Sequence, residues 1–184
     1  MRRPALADQP LSYGPVGGTL APTLLASPPD GYRATESSVR LGSGAERFAA
    51  ASVELMHWQV LRRSGIAVAD AAGAGAREVT LGDTVVQSLP LAGLRFAAPI
   101  RVVRVLQEPR RVGYAAGTLP GHPLRGEELF LIEHRADDSV WLVIRAFAQP
   151  ATLLYRIGSP AIRFARRRYT ARFLRALLEE ERAS

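Results

Sequence analysis

Hydrophobic positions along this chain follow two periods, with the change near residue 80. From Ala45 to Arg63, residues Phe48, Ala51, Leu55, Trp58 and Leu61 recur at helical spacing. This predicts one helix with an apolar face, Ser43 as its cap and Gly65 as its stop. Ahead of it, Tyr32–Leu41 lies between Asp30-Gly31 and Gly42-Ser43-Gly44 and reads as a strand. Ile66–Val68 opens a short strand, and Asp70–Ala76 is an Ala/Gly loop. Beyond that loop the pattern alternates. Thr84–Leu89, Leu94–Leu106 (bent near Pro99), Arg111–Thr118, Glu127–His134 and Val140–Ala148 all read as strands. Pro90-Leu91-Ala92-Gly93, Glu108-Pro109 and Ala136-Asp137-Asp138-Ser139 supply turns. Ala151–Arg182 is helical in composition, with Gly158-Ser159-Pro160 as a break, so a short helix and then a long one from about Ala161 are expected.

Strands joined by short turns make an antiparallel meander. The order strand, helix, several strands, long helix then predicts an α+β domain. A curved antiparallel sheet needs a cover for its inner face, and the long C-terminal helix is the element available. The expected architecture is therefore a helix-grip domain over residues 31–184, of a kind that often encloses an apolar cavity. Residues 1–30 stand apart. Pro4, Pro10, Pro15, Pro22, Pro28 and Pro29, with Gly14, Gly17 and Gly18 between them, forbid a long helix or a central strand. They read as an extended N-terminal arm, ordered in part by Leu11, Tyr13 and Val16.

Composition narrows the function more than it names it. Hydrophobic residues are 47% of the 184 and charged residues 22%, the balance of an ordinary globular domain. With no cysteine, disulfides, zinc–thiolate sites, iron–sulfur clusters and thiol catalysis are excluded. No apolar run is long enough to span a membrane, and no secretory signal follows the basic start, so a cytoplasmic protein is expected. The net charge of +7 invites a nucleic-acid reading, but all 24 basic residues are arginine in an Ala-, Gly- and Pro-rich chain. That is the mark of GC-rich codon usage, and nucleic-acid binding is disfavoured.

Candidate chemistry gathers in the segment Tyr114–Phe130. Gly117, Pro120, Gly121, Pro123 and Gly126 shape a connection between two strands, and His122, Glu127 and Glu128 project near its ends. His122 with a glutamate could act in acid–base chemistry at the mouth of a cavity, or the carboxylates could accept backbone and arginine hydrogen bonds in a structural loop. Glu127 and Glu128 are adjacent, so on a strand they face opposite ways and at most one enters a cavity. Trp58 on the helix, with Tyr114, Thr118 and Arg145 on strands, are the expected ligand-binding residues. Arg145 shares its strand face with Trp141, Val143 and Phe147. A buried guanidinium there needs a partner: a ligand carboxylate or phosphate, or an internal acid among Glu127, Glu128 and Glu133. His57, His122 and His134 show no metal-ligand spacing, and there is no phosphate loop or nucleophile elbow. Neither metal nor cofactor is expected. The C-terminal helix carries Arg163, Arg166, Arg167, Arg168, Arg172 and Arg175 beside an apolar stripe of Ile162, Tyr169, Phe173, Leu174 and Leu177.

Several of these stretches resemble an uncharacterised family of bacterial and plant proteins, UPF0548. They are Leu11-Ser12-Tyr13-Gly14-Pro15-Val16-Gly17, Gly31-Tyr32, Phe48-Ala49-Ala50-Ala51 to Trp58 and, most specifically, Gly117-Thr118-Leu119-Pro120-Gly121-His122-Pro123 with Gly126-Glu127-Glu128. Ala146–Pro150 is similar too, but Ala148 and Gln149 stand where a Ser and a basic residue are usual, and Ala165 where a Gln is usual. The family looks like a relative of the START/pollen-allergen-like (SRPBCC-like) superfamily. The resemblance implies a helix-grip cavity for a lipid-, steroid- or polyketide-like molecule. Three readings of function follow. The first is binding of a small, largely apolar or amphipathic molecule with a polar or anionic group. The second is an enzyme using His122 and a glutamate on a cavity-bound substrate. The third is RNA or anionic-surface binding through the arginine-rich C-terminal helix.

Overall fold

The computed structural model describes residues 5–70, 77–91, 94–152 and 159–178. Seven strands form one sheet: β1 (Arg33–Ser43), β2 (Ala67–Asp70), β3 (Thr84–Leu91), β4 (Leu94–Glu108), β5 (Arg111–Thr118), β6 (Leu124–His134) and β7 (Ser139–Pro150). Their spatial order is β1-β7-β6-β5-β4-β3-β2 and every pairing is antiparallel. β2 to β7 are a plain meander, and β1 closes onto β7 from the far end of the chain. The register shifts between Arg40 and Gly42 in the β1–β7 ladder and between Val102 and Arg104 in the β4–β5 ladder, the mark of bulges. The expected strands all form, most of them longer than the alternation alone marked out. Pro90 and Leu91 belong to β3 rather than to a turn. The loop over 71–76, the hairpin tip at 92–93, the short helix before Gly158 and the end of the chain beyond Leu178 lie outside the described residues.

Among the described residues the helices are α1 (Ala45–Met56), α2 (Gln59–Arg63) and α3 (Ser159–Arg175). The single helix expected over Ala45–Arg63 is two, because Trp58 takes a left-handed backbone at φ 63°. Its own N–H closes on the Leu55 carbonyl while its carbonyl accepts from Arg62, so one helix stops and the next starts on this residue. Ser43 does not cap α1. Gly44 holds the N-cap position at φ 90°, a conformation suited to glycine, and no side chain caps the helix.

Period-two alternation gives the sheet two apolar faces. On the inner face Tyr114, Ala116, Phe130, Ile132, Leu142 and Ile144 pack with Leu55, Trp58 and Leu61 from α1, α2 and their junction. Phe173 and Leu177, at the end of α3 and just beyond it, join them. Phe173 meets Phe130 edge-on, ring centroids 5.4 Å apart. This is the expected helix-grip arrangement, α+β, with the C-terminal helix against the concave face. On the outer face Leu106, Ala115, Leu129, Leu131 and Val143 form a second cluster, with Leu20 from the N-terminal segment packed on it.

That segment is more ordered than an extended arm. It carries two short 3-10 turns, at Leu6–Asp8 and Gly18–Leu20, and buries Thr19 and Leu24. The Arg101 guanidinium donates to the carbonyls of Leu6, Ala7 and Gln9 at 2.9, 2.8 and 3.0 Å. The Ser12 N–H donates to the Thr118 carbonyl at 2.9 Å.

Candidate functional site

The two glutamates of the Gly126-Glu127-Glu128 motif part company across the sheet. Glu128 pairs in register with Ala116 and Ala146 on the inner face, whereas Glu127 pairs with Gly117 and Phe147 on the outer one. Glu127 is buried at 2% exposure. Its Oε2 accepts from the Tyr13 hydroxyl at 2.7 Å and from the Gly17 N–H at 2.7 Å. Its Oε1 accepts from the Thr19 N–H at 3.0 Å and from the Thr19 hydroxyl. Such a carboxylate is a tether for the N-terminal segment, its oxygens taken up by Tyr13, Gly17 and Thr19. Burial first, and the neighbouring Glu127 charge second, hold the Tyr13 phenol well above its ordinary range, so it stays a donor.

A pocket of about 70 Å³ opens on the inner face between the ends of β3 to β7. Its walls include Ile100, Ala116, Phe130 and Ala146, and its polar lining includes Gln87, Thr118, His122, Glu127 and Glu128. Thr118 closes one side: its hydroxyl accepts from the Gly126 N–H at 3.0 Å and lies 2.7 Å from the Ser12 hydroxyl. His122 is half-buried. Its Nδ1 accepts the Leu124 N–H at 2.9 Å, which closes a tight turn after Gly121. Loss of hydration on burial pushes the His122 imidazole down to about 4, against a smaller upward pull from the Leu124 carbonyl, which lies 3.0 Å from Nδ1, so the ring is neutral near pH 7. His122 and Glu128 thus line one pocket, and Glu127 does not partner the histidine.

Trp58 and Tyr114 sit deeper, each fully buried, with ring centroids 5.0 Å apart. Neither Trp58 Nε1 nor the Tyr114 hydroxyl has a hydrogen-bond partner among the described residues. Each such orphan costs about 1–3 kcal/mol of desolvation. Burial, then the Glu128 charge, drives the Tyr114 phenol far up, so it too remains protonated.

Arg145 does not reach the pocket. It is on the outer face, as the alternation with Trp141, Val143 and Phe147 implied, and that face is turned away from the cavity. Its Nε lies 2.9 Å from Glu36 Oε2, and it donates to the Ala21 carbonyl at 3.0 Å. The internal partner is Glu36, opposite in the β1–β7 register, not Glu127, Glu128 or Glu133. Sequence reasoning missed Glu36 because β1 and β7 are distant in the chain, and it missed Gln87 because a lone amide in an alternating strand carries no signal. On α3, Phe164 is 65% exposed and Arg167, Arg168 and Arg175 are exposed. The side chains of Ile162, Arg163, Ala165 and Arg166 lie outside the described residues. Among those described, no three histidine, aspartate or glutamate side chains could hold a metal ion, and no helix is long and apolar enough to cross a membrane.

Known proteins are similar to this chain over most of its length. Residues 12–176 match the family model described as a domain of unknown function, DUF1990. A UPF0548 protein of Deinococcus radiodurans is 33% identical over 180 residues, covering 93% of this chain and 87% of its own length. A UPF0548 protein of Arabidopsis thaliana is 30% identical over 161 residues, covering 84% of this chain and 76% of its own. Among solved structures, ginseng major latex-like protein 151 from Panax ginseng superposes with a TM-score of 0.50 at 10% identity, over 80% of this chain and 99% of its own, a likeness of fold alone. With the specific motifs and the helix-grip fold both in place, the chain belongs to the UPF0548 family of DUF1990 domains.

Proposed function

We propose that this protein binds a small, largely apolar molecule bearing an uncharged polar group in the concave pocket. The observation that carries this reading is the pocket itself: apolar walls that include Ile100, Ala116, Phe130 and Ala146, with Gln87, Thr118, His122 and Glu128 among the polar lining. Apolar walls with a few polar groups are what small-molecule sites are made of. The anionic version of the ligand depended on Arg145, which is held by Glu36 on the other face. At about 70 Å³ the pocket has room for about two water molecules, well below the several hundred Å³ of a typical ligand site. Binding of a molecule larger than that requires the pocket to widen beyond the volume seen here.

Native mass spectrometry of freshly purified protein tests this. The wild type is expected to carry a releasable apolar molecule, and Ala146→Phe, which fills the pocket, to lack it. Equal occupancy in both proteins, or none in either, would remove the reading. His122 and Glu128 share the pocket lining, which favours proton transfer on a bound substrate as the second reading. A released molecule that the wild type converts and His122→Asn does not would select it.

A further inference from the structure

We infer that Trp58 Nε1–H and the Tyr114 hydroxyl form a recognition point for a carbonyl oxygen on the molecule that enters the concave pocket. This rests on the reading of that pocket as a binding site. Buried polar atoms in proteins nearly always have partners, yet two lacking any lie on rings in contact, at 0% exposure. The backbone is shaped for one of them. Trp58 sits at φ 63°, rare for a bulky residue, and it interrupts what would otherwise be a single helix. Strain of this kind gathers at ligand sites. The pair also adjoins the pocket. Ala116, two residues along the same face of β5 from Tyr114, lines it, and so does Phe130, whose ring lies 5.5 Å from that of Tyr114.

The chemistry of the pair selects the ligand group. An indole N–H can only donate, and a protonated phenol donates readily, so the complement is an acceptor. A carboxylate or phosphate is disfavoured, because the two rings are fully buried and the Glu128 charge already acts on Tyr114. An ammonium group has nothing to accept with. An uncharged carbonyl oxygen meets both conditions.

The test uses the full-length protein labelled with nitrogen-15 and two probes of one skeleton, acetophenone and ethylbenzene, which differ by the carbonyl oxygen. Trp58 and Trp141 are the tryptophans of the chain. Trp141 Nε1 already donates to the Ser139 hydroxyl at 2.8 Å, and Trp58→Phe identifies the other indole resonance. The Trp58 indole proton is expected to move downfield with acetophenone and to stay in place with ethylbenzene. Tyr114→Phe, which keeps the ring and deletes the hydroxyl, should weaken acetophenone by about three- to tenfold, the worth of one net hydrogen bond, and leave ethylbenzene unchanged. Binding of both probes with no indole response, or equal affinities in Tyr114→Phe, would overturn the recognition point while leaving the pocket. An indole already downfield in the free protein, held by a structural water that the ketone leaves in place, would overturn it as well. Failure of both probes to bind would remove the pocket reading together with it.

Discussion

The Tyr13 hydroxyl donates to Glu127 at 2.7 Å, across 114 residues of sequence. Tyr13 reaches it by lying over Gly117, where an added Cβ would stand 2.2 Å from the hydroxyl oxygen. The N-terminal Ser12-Tyr13-Gly14-Pro15 stretch and the Gly117…Glu127 stretch, both among those that carry the family resemblance, are therefore two sides of one contact. That contact seals the outer face of the sheet, the face away from the pocket.

Glu127→Gln should destabilise the fold by about 2–4 kcal/mol. An amide cannot accept at both ends, so one pair of buried donors loses its acceptor. Tyr13→Phe removes a single charge-assisted bond and should cost about 1.5–3 kcal/mol. Denaturant midpoints measure both. Summed losses in the double variant would show that the two side chains do not act as one unit.

Gly117→Ala drives a methyl group into the Tyr13 ring, and overpacking of this sort costs about 1–3 kcal/mol. The same substitution in a Tyr13→Ala background should cost far less, since the obstacle is gone. An undiminished loss there would place the strain in the β5 backbone and not in the docking of Tyr13.

Most of the fold was legible because alternation and turn chemistry act locally. Six of the seven strands form a meander, in which each strand pairs with its sequence neighbour, so local reading also gave their order. The exception is β1, which pairs with β7 at the other end of the chain, and with it went the partner of Arg145. Trp58 was expected on a continuous helix because its spacing fits a helical face. Nothing local signals that a tryptophan will adopt a left-handed backbone. The site was half legible for a related reason. Adjacency told that Glu127 and Glu128 part, but only the docking of residues 12–19 decides which face Glu127 serves.

Arg145→Met should lower stability by about 1–3 kcal/mol, through loss of the Glu36 ion pair and the bond to the Ala21 carbonyl. It should leave affinity for acetophenone unchanged, because the guanidinium is on the face opposite the pocket. Glu36→Gln should give a smaller loss than Arg145→Met, since Glu36 is the more exposed partner. A ligand-affinity defect in Arg145→Met at unchanged stability would return this arginine to the pocket.

His122 gives stability a pH dependence of known sign. Burial holds the folded imidazole down to about 4, against 6.5 for the free side chain. As pH falls below 6.5, the unfolded chain takes up a proton that the folded protein does not take until near 4. The contribution is therefore complete above the unfolded value and is lost between the two, falling by up to about 3 kcal/mol, and by less to the extent that water reaches the half-buried ring. Carboxylates titrate over part of this range, so the informative quantity is the difference from His122→Asn, whose side-chain oxygen can still accept the Leu124 N–H. Urea midpoints measured from about pH 7.5 down to about pH 4.5 should show the wild type losing stability faster than the variant. Parallel curves would mean that the folded protein protonates His122 as readily as water does, and that the turn after Gly121 opens to admit the charge.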